Sequence, residues 1–330
     1  MSTLDGRTGD VRVVDLDETG WLLDAGLPVP AERIAEHFAE VLTPPDGTTD
    51  IVVYVHGWKT RPRSALTAAG RLAGLVGAQY ARYGDLYPRL RAGGFAPWTV
   101  LVRWPSQEGY RVTRDRAHSI GRVPDGHAAR VVGQLLGYLD GLRGDPAAAP
   151  VLATRGGQAL HLVGHSFGCR FLCEAVQWAA DEAGGRSLGW SRPAPPGRPF
   201  TVDSMLLFQM AAPRDAFETT FTALPGAPLS GPVVATYAER DWATGFWHRL
   251  AEKRRGIGAQ GIGTAPRPVS SVRMRGVDEA YPHDVLDHWF VSVDAGGVFV
   301  DGRGPSGAHS DHLRAESAHL LLSLADHCRP

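Results

Sequence analysis

Ala159-Leu160-His161-Leu162-Val163-Gly164-His165-Ser166-Phe167-Gly168-Cys169-Arg170-Phe171-Leu172 is the stretch around which the rest of the chain is organised. An apolar run of strand length meets Gly-x-Ser-x-Gly, and a helical pattern follows at once. The chain must therefore reverse sharply between strand and helix. Gly164 and Gly168, two before and two after the serine, leave room for that turn. Ser166 then stands at its apex, where a base and a substrate can reach it.

Outward from this stretch, strands and helices alternate. Residues 51–55, Ile-Val-Val-Tyr-Val, form a continuous β-branched run, as in a strand buried on both faces. Residues 98–102, 160–163, 202–210, 232–237 and 271–274 read as further strands. Helices are expected over 31–42, 64–83 with Ser64 as cap, 167–183, 214–222, 244–253 and 313–327. Another is expected over 127–142, with Val131, Leu135, Leu136 and Leu139 as its stripe. One hairpin is expected near the N-terminus around Asp17-Glu18-Thr19-Gly20, a second around Asp294-Ala295-Gly296-Gly297. Segment 107–126 reads as a loop or short helical cap over the sheet's end, and 184–199 and 256–268 read as loops, the last glycine-rich and mobile. This alternation predicts a three-layer α/β/α sandwich around a mostly parallel sheet, with the loops leaving the strands gathered on one rim. The chain reads as one α/β domain over 1–330, with 1–48 an added hairpin and helix and 104–127 a cap or loop segment.

Composition narrows the function classes. Hydrophobic residues make up 43% and charged residues 21%, the balance of a globular chain with a large core. The formal net charge is -1, so nothing calls for nucleic acid or an anionic membrane as an obligatory partner. Three cysteines are too few for a disulfide scaffold, and a reduced, cytoplasmic setting is expected. No run approaches the roughly 20 apolar residues of a membrane span, and residues 1–10 lack the apolar core of a signal peptide. Oligomeric state is not legible.

A serine hydroxyl is a poor nucleophile at neutral pH, so it needs a base, an orienting carboxylate and donors for an oxyanion. Val55-His56-Gly57-Trp58 leaves a buried strand and can present the Trp58 N–H opposite the N–H of Phe167, which opens the helix after the serine. Asp241, in Ala-Glu-Arg-Asp-Trp-Ala after a later strand, is the preferred acid, with Glu239 its close competitor and Asp203 and Asp215 poorer. The order Ser…Asp…His asks for a late histidine. Among 13 histidines, Gly307-Ala308-His309-Ser310-Asp311-His312 qualifies; His309 is preferred because Ser310 reads as the next helix's cap and His312 as part of its first turn. His283 and His288 are reserves. His56, Gly57, His165, Trp104 and Trp242 are candidate lining for a substrate pocket.

On these residues the chain resembles the α/β-hydrolase superfamily. The likeness rests on Val53-Tyr54-Val55-His56-Gly57-Trp58, Gly164-His165-Ser166-Phe167-Gly168, Asp241 and Ala308-His309-Ser310-Asp311, across roughly residues 50–325. Arg103-Trp104-Pro105-Ser106 adds a likeness to poorly characterised bacterial members. The resemblance implies an eight-strand, mostly parallel sheet, a serine nucleophile, acyl-enzyme chemistry on a small-molecule acyl substrate, and no metal or organic cofactor. It departs in carrying His-Gly-Trp where many lipases and esterases have His-Gly-Gly-Gly. The expected activity is ester or thioester hydrolysis by Ser166, His309 and Asp241. Acyltransferases and peptidases use the same triad, and a hydrolase-like binding or scaffolding protein without turnover is the rival from another class.

Other signals are weaker. His283-Asp284…Asp287-His288 holds metal-ligand types at no recognised zinc spacing. The glycines of 256–263 neither follow a strand nor open a helix as dinucleotide binding requires. The basic segment 111–118 reads as a solvated helix face. Cys169 reads as buried, with no base paired to it.

Overall fold

A computed structural model describes residues 11–119, 127–128, 131–132, 135–136, 159–179, 202–227, 229–302 and 304–329. The N-terminal hairpin is present: β1 (Arg12–Leu16) pairs antiparallel with β2 (Leu22–Asp24), and Asp17 closes the turn by accepting the Thr19 and Trp21 N–H groups. A short β3 (Leu27–Pro28) continues it, and α1 (Ile34–Val41) buries Ile34 and Phe38. β4 (Asp50–Val55) is buried along its whole length, as its unbroken apolar run requires. α2 (Pro62–Tyr83) begins before Ser64, which makes no cap; Pro62 opens it, where a missing N–H costs nothing. α3 (Pro88–Gly93) leads to β5 (Pro97–Arg103).

Part of the segment read as a cap or loop is helical. α4 (Tyr110–Ser119) buries Thr113 and Ala117, and its Arg116 binds Glu108 and the Pro105 carbonyl. Of the helix expected over 127–142, six positions are described, and Val131, Leu135 and Leu136 are buried. The remainder of that helix and the loop 184–199 lie outside the described residues. β6 (Ala159–His165) and α5 (Phe167–Ala179) flank the serine, followed by β7 (Ser204–Phe208), α6 (Ala216–Thr219) and β8 (Val233–Tyr237). Residues 244–253, expected as one helix, are a π-helical turn (Ala243–Trp247) running into α7 (His248–Glu252). After α8 (Ile257–Gln260) come β9 (Val269–Arg273), α9 (His283–Leu286), β10 (Phe290–Asp294) and the terminal α10 (Ala315–His327).

Three expectations need correction. The second hairpin does not form: β10 runs parallel between β8 and β9, and the Val298 and Phe299 N–H groups turn back to the Ala295 carbonyl. A strand with both edges already paired has none left for an antiparallel return. The glycine-rich segment is packed, not loose: it contains α8, and Ile257 and Gly258 donate to the Ala212 and Met210 carbonyls at 2.8 and 3.0 Å. Ser310 caps nothing; Arg314 precedes α10, again without a side-chain cap.

Among the described residues the sheet has ten strands in the order β3-β2-β1-β5-β4-β6-β7-β8-β10-β9, and all pairings from β1 to β9 are parallel. One face packs against α1, α4, α5, α6 and α8, the other against α2, α3, α9 and α10. This is the three-layer α/β/α sandwich. β4 continues to β5 on one side, and β6 to β7 on the other. Loops leaving two adjacent strands in opposite directions open a crevice, the usual ligand position in such sheets. The loops after β4 and β6 carry His56-Gly57-Trp58 and Ser166.

Candidate active site

The turn at Ser166 is strained. Its φ is 56°, in the left-handed region that side chains other than glycine rarely adopt. Backbone bonds hold it there: the Ser166 N–H donates to the Phe208 carbonyl at 3.0 Å, and its own carbonyl accepts from Cys169 and Ala211. Gly168 lies against the Val55 and His56 carbonyls, where a Cβ has no room. Gly57 is equally constrained, since a Cβ there would stand 2.7 Å from the Ser166 Cβ. The β4 loop is thus pressed onto the serine. Phe167 is the first residue of α5, so its N–H is among the unpaired donors of a helix start. Among the described backbone hydrogen bonds, neither the Phe167 nor the Trp58 N–H has an acceptor.

Two distant loops bring His309 and Asp241, the expected base and acid. Gly307 bridges to Asp241, and the Ala308 N–H donates to the Arg240 carbonyl at 2.9 Å, so the loop after β8 and the loop before α10 are stitched along their backbones. His309 lies in the short 3-10 turn Ala308–Ser310. The Ser166 hydroxyl donates to His309 Nε2 at 2.8 Å, and His309 Nδ1–H donates to Asp241 Oδ2 at 2.9 Å. That pair of bonds assigns the Nδ1–H tautomer. Asp241 is fully buried, and its second oxygen accepts the Thr244 N–H at 3.0 Å. Glu239 is exposed.

Gln209 is a site residue that the sequence did not reveal. Its Nε2 donates to Asp241 Oδ2 at 3.2 Å and to the Ala308 carbonyl at 2.8 Å, joining the acid to the histidine loop from below. Its φ of 48° departs from the strand at the C-terminal end of β7. No local signal marks a glutamine in Phe-Gln-Met for that task.

Two further histidines support His309 from behind. His165 Nε2–H donates to the His309 carbonyl at 2.7 Å, and its ring stacks on His312 at 3.9 Å between centroids. Nε2 of His312 lies 3.3 Å from the Tyr54 hydroxyl. Burial, with His312 and His309 close by, drives His165 well below its ordinary value. Burial also brings His312 down to about 3. Both are therefore neutral near pH 7. His165, read as pocket lining, is instead an internal brace.

The other candidates divide. His56 is buried, donates from Nδ1 to the Gly57 carbonyl at 3.0 Å and accepts the Trp104 N–H at 3.3 Å; burial brings it down to about 4. Trp104 is core, stacked on His56 and packed on Phe171. His56 and Trp104 also line a cavity of about 370 Å³ with Asp15, Arg103 and Gln107, on the β1 side and without Ser166. Trp58 is half-buried against Tyr110. Trp242 is 53% exposed beside Gly307. Among the described residues no group of three His, Cys, Asp or Glu is arranged to hold a metal ion. No protein-family model matches the chain, and no curated protein matches it. The architecture is compatible with the α/β-hydrolase superfamily, and other α/β folds share it.

Proposed function

We propose that the protein is a serine hydrolase, an esterase-like member of the α/β-hydrolase superfamily that cleaves an ester, thioester or related acyl bond. The observation that carries this reading is the hydrogen-bonded chain from Ser166 through His309 to Asp241, at 2.8 and 2.9 Å, on a strained turn beside unpaired N–H donors. Ser166 Oγ attacks the carbonyl carbon while its proton passes to His309 Nε2. Asp241 compensates the imidazolium, and the N–H groups of Trp58 and Phe167 hold the oxyanion. His309 then gives its proton to the leaving group, and an acyl-enzyme remains; a water that His309 deprotonates attacks the acyl carbon, and His309 returns that proton to Ser166 Oγ as the acid is released.

The neutrality of His165 matters here. Its ring centroid lies 4.9 Å from that of His309, so a charge on it would oppose the imidazolium that forms in each half-reaction. A fluorophosphonate probe tests the reading directly. Covalent labelling is expected on Ser166 in the folded protein and absent from Ser166→Ala. Folded protein that takes no label would identify a hydrolase-like binding protein instead.

A further inference from the structure

The net charge of -1 conceals a local asymmetry. Among the described residues seven large apolar side chains are exposed, and four of them fall within residues 242–250: Trp242 at 53%, Phe246 at 61%, Trp247 at 43% and Leu250 at 68%. Trp242, Phe246 and Leu250 are spaced four apart along the π-helical turn and α7, so they share one side, with Trp247 edge-on to Phe246. The element is built rigidly. Beneath it, Arg170 of α5 donates to Glu252 at 2.6 Å and meets His248 at 3.1 Å, while the Trp247 indole N–H donates to the Pro305 carbonyl at 2.7 Å. The stripe's apolar groups face solvent while the polar side chains Arg170, Glu252, His248 and the Trp247 indole are bonded beneath it.

Cations surround it. Arg240, Arg249, Lys253 and Arg255 are exposed, and none is in an ion pair among the described residues. Arg254 is spent on Asp215, Glu252 on Arg170 and Asp241 on His309, which leaves Glu239 as the exposed carboxylate of this segment. Tryptophan, phenylalanine and leucine beside a fringe of arginine and lysine form the composition that lies in the interface of an anionic bilayer. A second copy of the chain is a poorer occupant, because a two-fold contact through this stripe would set the same cations against one another. No described helix is long and apolar enough to cross a membrane, so such attachment is peripheral.

We infer that the 242–250 stripe is a docking surface for an anionic lipid bilayer. A bilayer seated there holds acyl lipids beside the loop that carries His309; that consequence rests on the hydrolase reading, whereas docking itself does not.

Co-sedimentation with vesicles tests it. The full chain should sediment with vesicles of equal parts phosphatidylglycerol and phosphatidylcholine, far less with phosphatidylcholine alone, and less as salt rises. Phe246→Ser with Leu250→Ser should weaken the partition about tenfold or more, with thermal unfolding unchanged. Arg249→Glu with Lys253→Glu should abolish the preference for anionic vesicles. Ser166→Ala should sediment as the wild type does, so a failure of the hydrolase reading would leave this result standing. Failure of the wild type to bind, equal binding by the variants, or a dimer that only the apolar variant dissolves would overturn the inference.

Discussion

Among the described residues two Ser–His–Asp chains stand toward opposite ends of the sheet, with β6 common to both. At the rim Ser166, His309 and Asp241 are linked at 2.8 and 2.9 Å. At the far end Ser204 lies 2.8 Å from His161 Nδ1, and His161 Nε2 lies 3.1 Å from Asp50. Strand register builds the second chain. His161 pairs with Ser204 and Val52, and Asp50 stands two before Val52, so all three point to one face. The residue types match; the surroundings do not. Ser204 sits in a regular central strand whose N–H groups are committed to the ladder, whereas Ser166 stands on a left-handed turn at a helix start. Asp50 is already neutralised by Arg329 at 2.7 Å, whereas Asp241 is held by neutral donors apart from His309. A carboxylate with a permanent cation has little left for a transient imidazolium. Hydrogen-bond geometry alone therefore does not separate the two serines; on the proposed reading, unpaired N–H donors and an uncommitted carboxylate do.

The sharpest way to break this contrast is to remove each serine. Ser166→Ala should lower kcat on a short-chain nitrophenyl ester by about 10⁶-fold, while Ser204→Ala leaves it unchanged. Equal effects would mean that the distinction is wrong. Asp241→Asn should cost about 10⁴-fold in kcat by imposing the wrong tautomer on His309, with stability little affected.

At the buried end the cost should fall on folding instead. Asp50→Ala removes the buried carboxylate that binds both Arg329 and His161, and urea denaturation should show a loss of about 3–5 kcal/mol. Turnover per folded molecule should stay at the wild-type value.

A further effect is with pH, and it belongs to the rim. His56 and His312 fall from 6.5 to about 4 and about 3 on folding. The unfolded chain thus binds protons that the folded one refuses, and stability rises with pH up to the unfolded value. Below 6.5 each histidine should cost about 1.4 kcal/mol per pH unit until its folded value is reached. Denaturation at about pH 7 and about pH 5 should show the loss, and His312→Asn should flatten it. A profile unchanged by that variant would remove His312 from the account.

Much of this arrangement was legible along the chain because its causes are local. A short unbroken run rich in β-branched residues and closed by a glycine turn reads as a strand buried on both faces, and glycine on either side of a serine permits the turn. The strand–turn–helix at Ser166, the His56-Gly57 loop and most of the alternating elements follow from such short-range constraints. Where the constraint is not local, the reading fails. β10 looks like half of a hairpin until β8 and β9 occupy both its edges. Residues 256–263 look loose until α8 donates its N–H groups to the chain after β7. Gln209 carries no signal because its role is defined by Asp241 and Ala308, far away in sequence.

The sequence by itself determined that Ser166 stands on a sharp turn at the end of a buried strand, since glycine spacing and apolar periodicity act within a few residues. Only the tertiary structure decided its company. Strand order and the stitched 241 and 307 loops bring His309 to Ser166 and turn His312 onto His165. The same packing closes a similar set of residues around Ser204. Side chains at separated positions meet through register and packing, and these are properties of the assembled sheet.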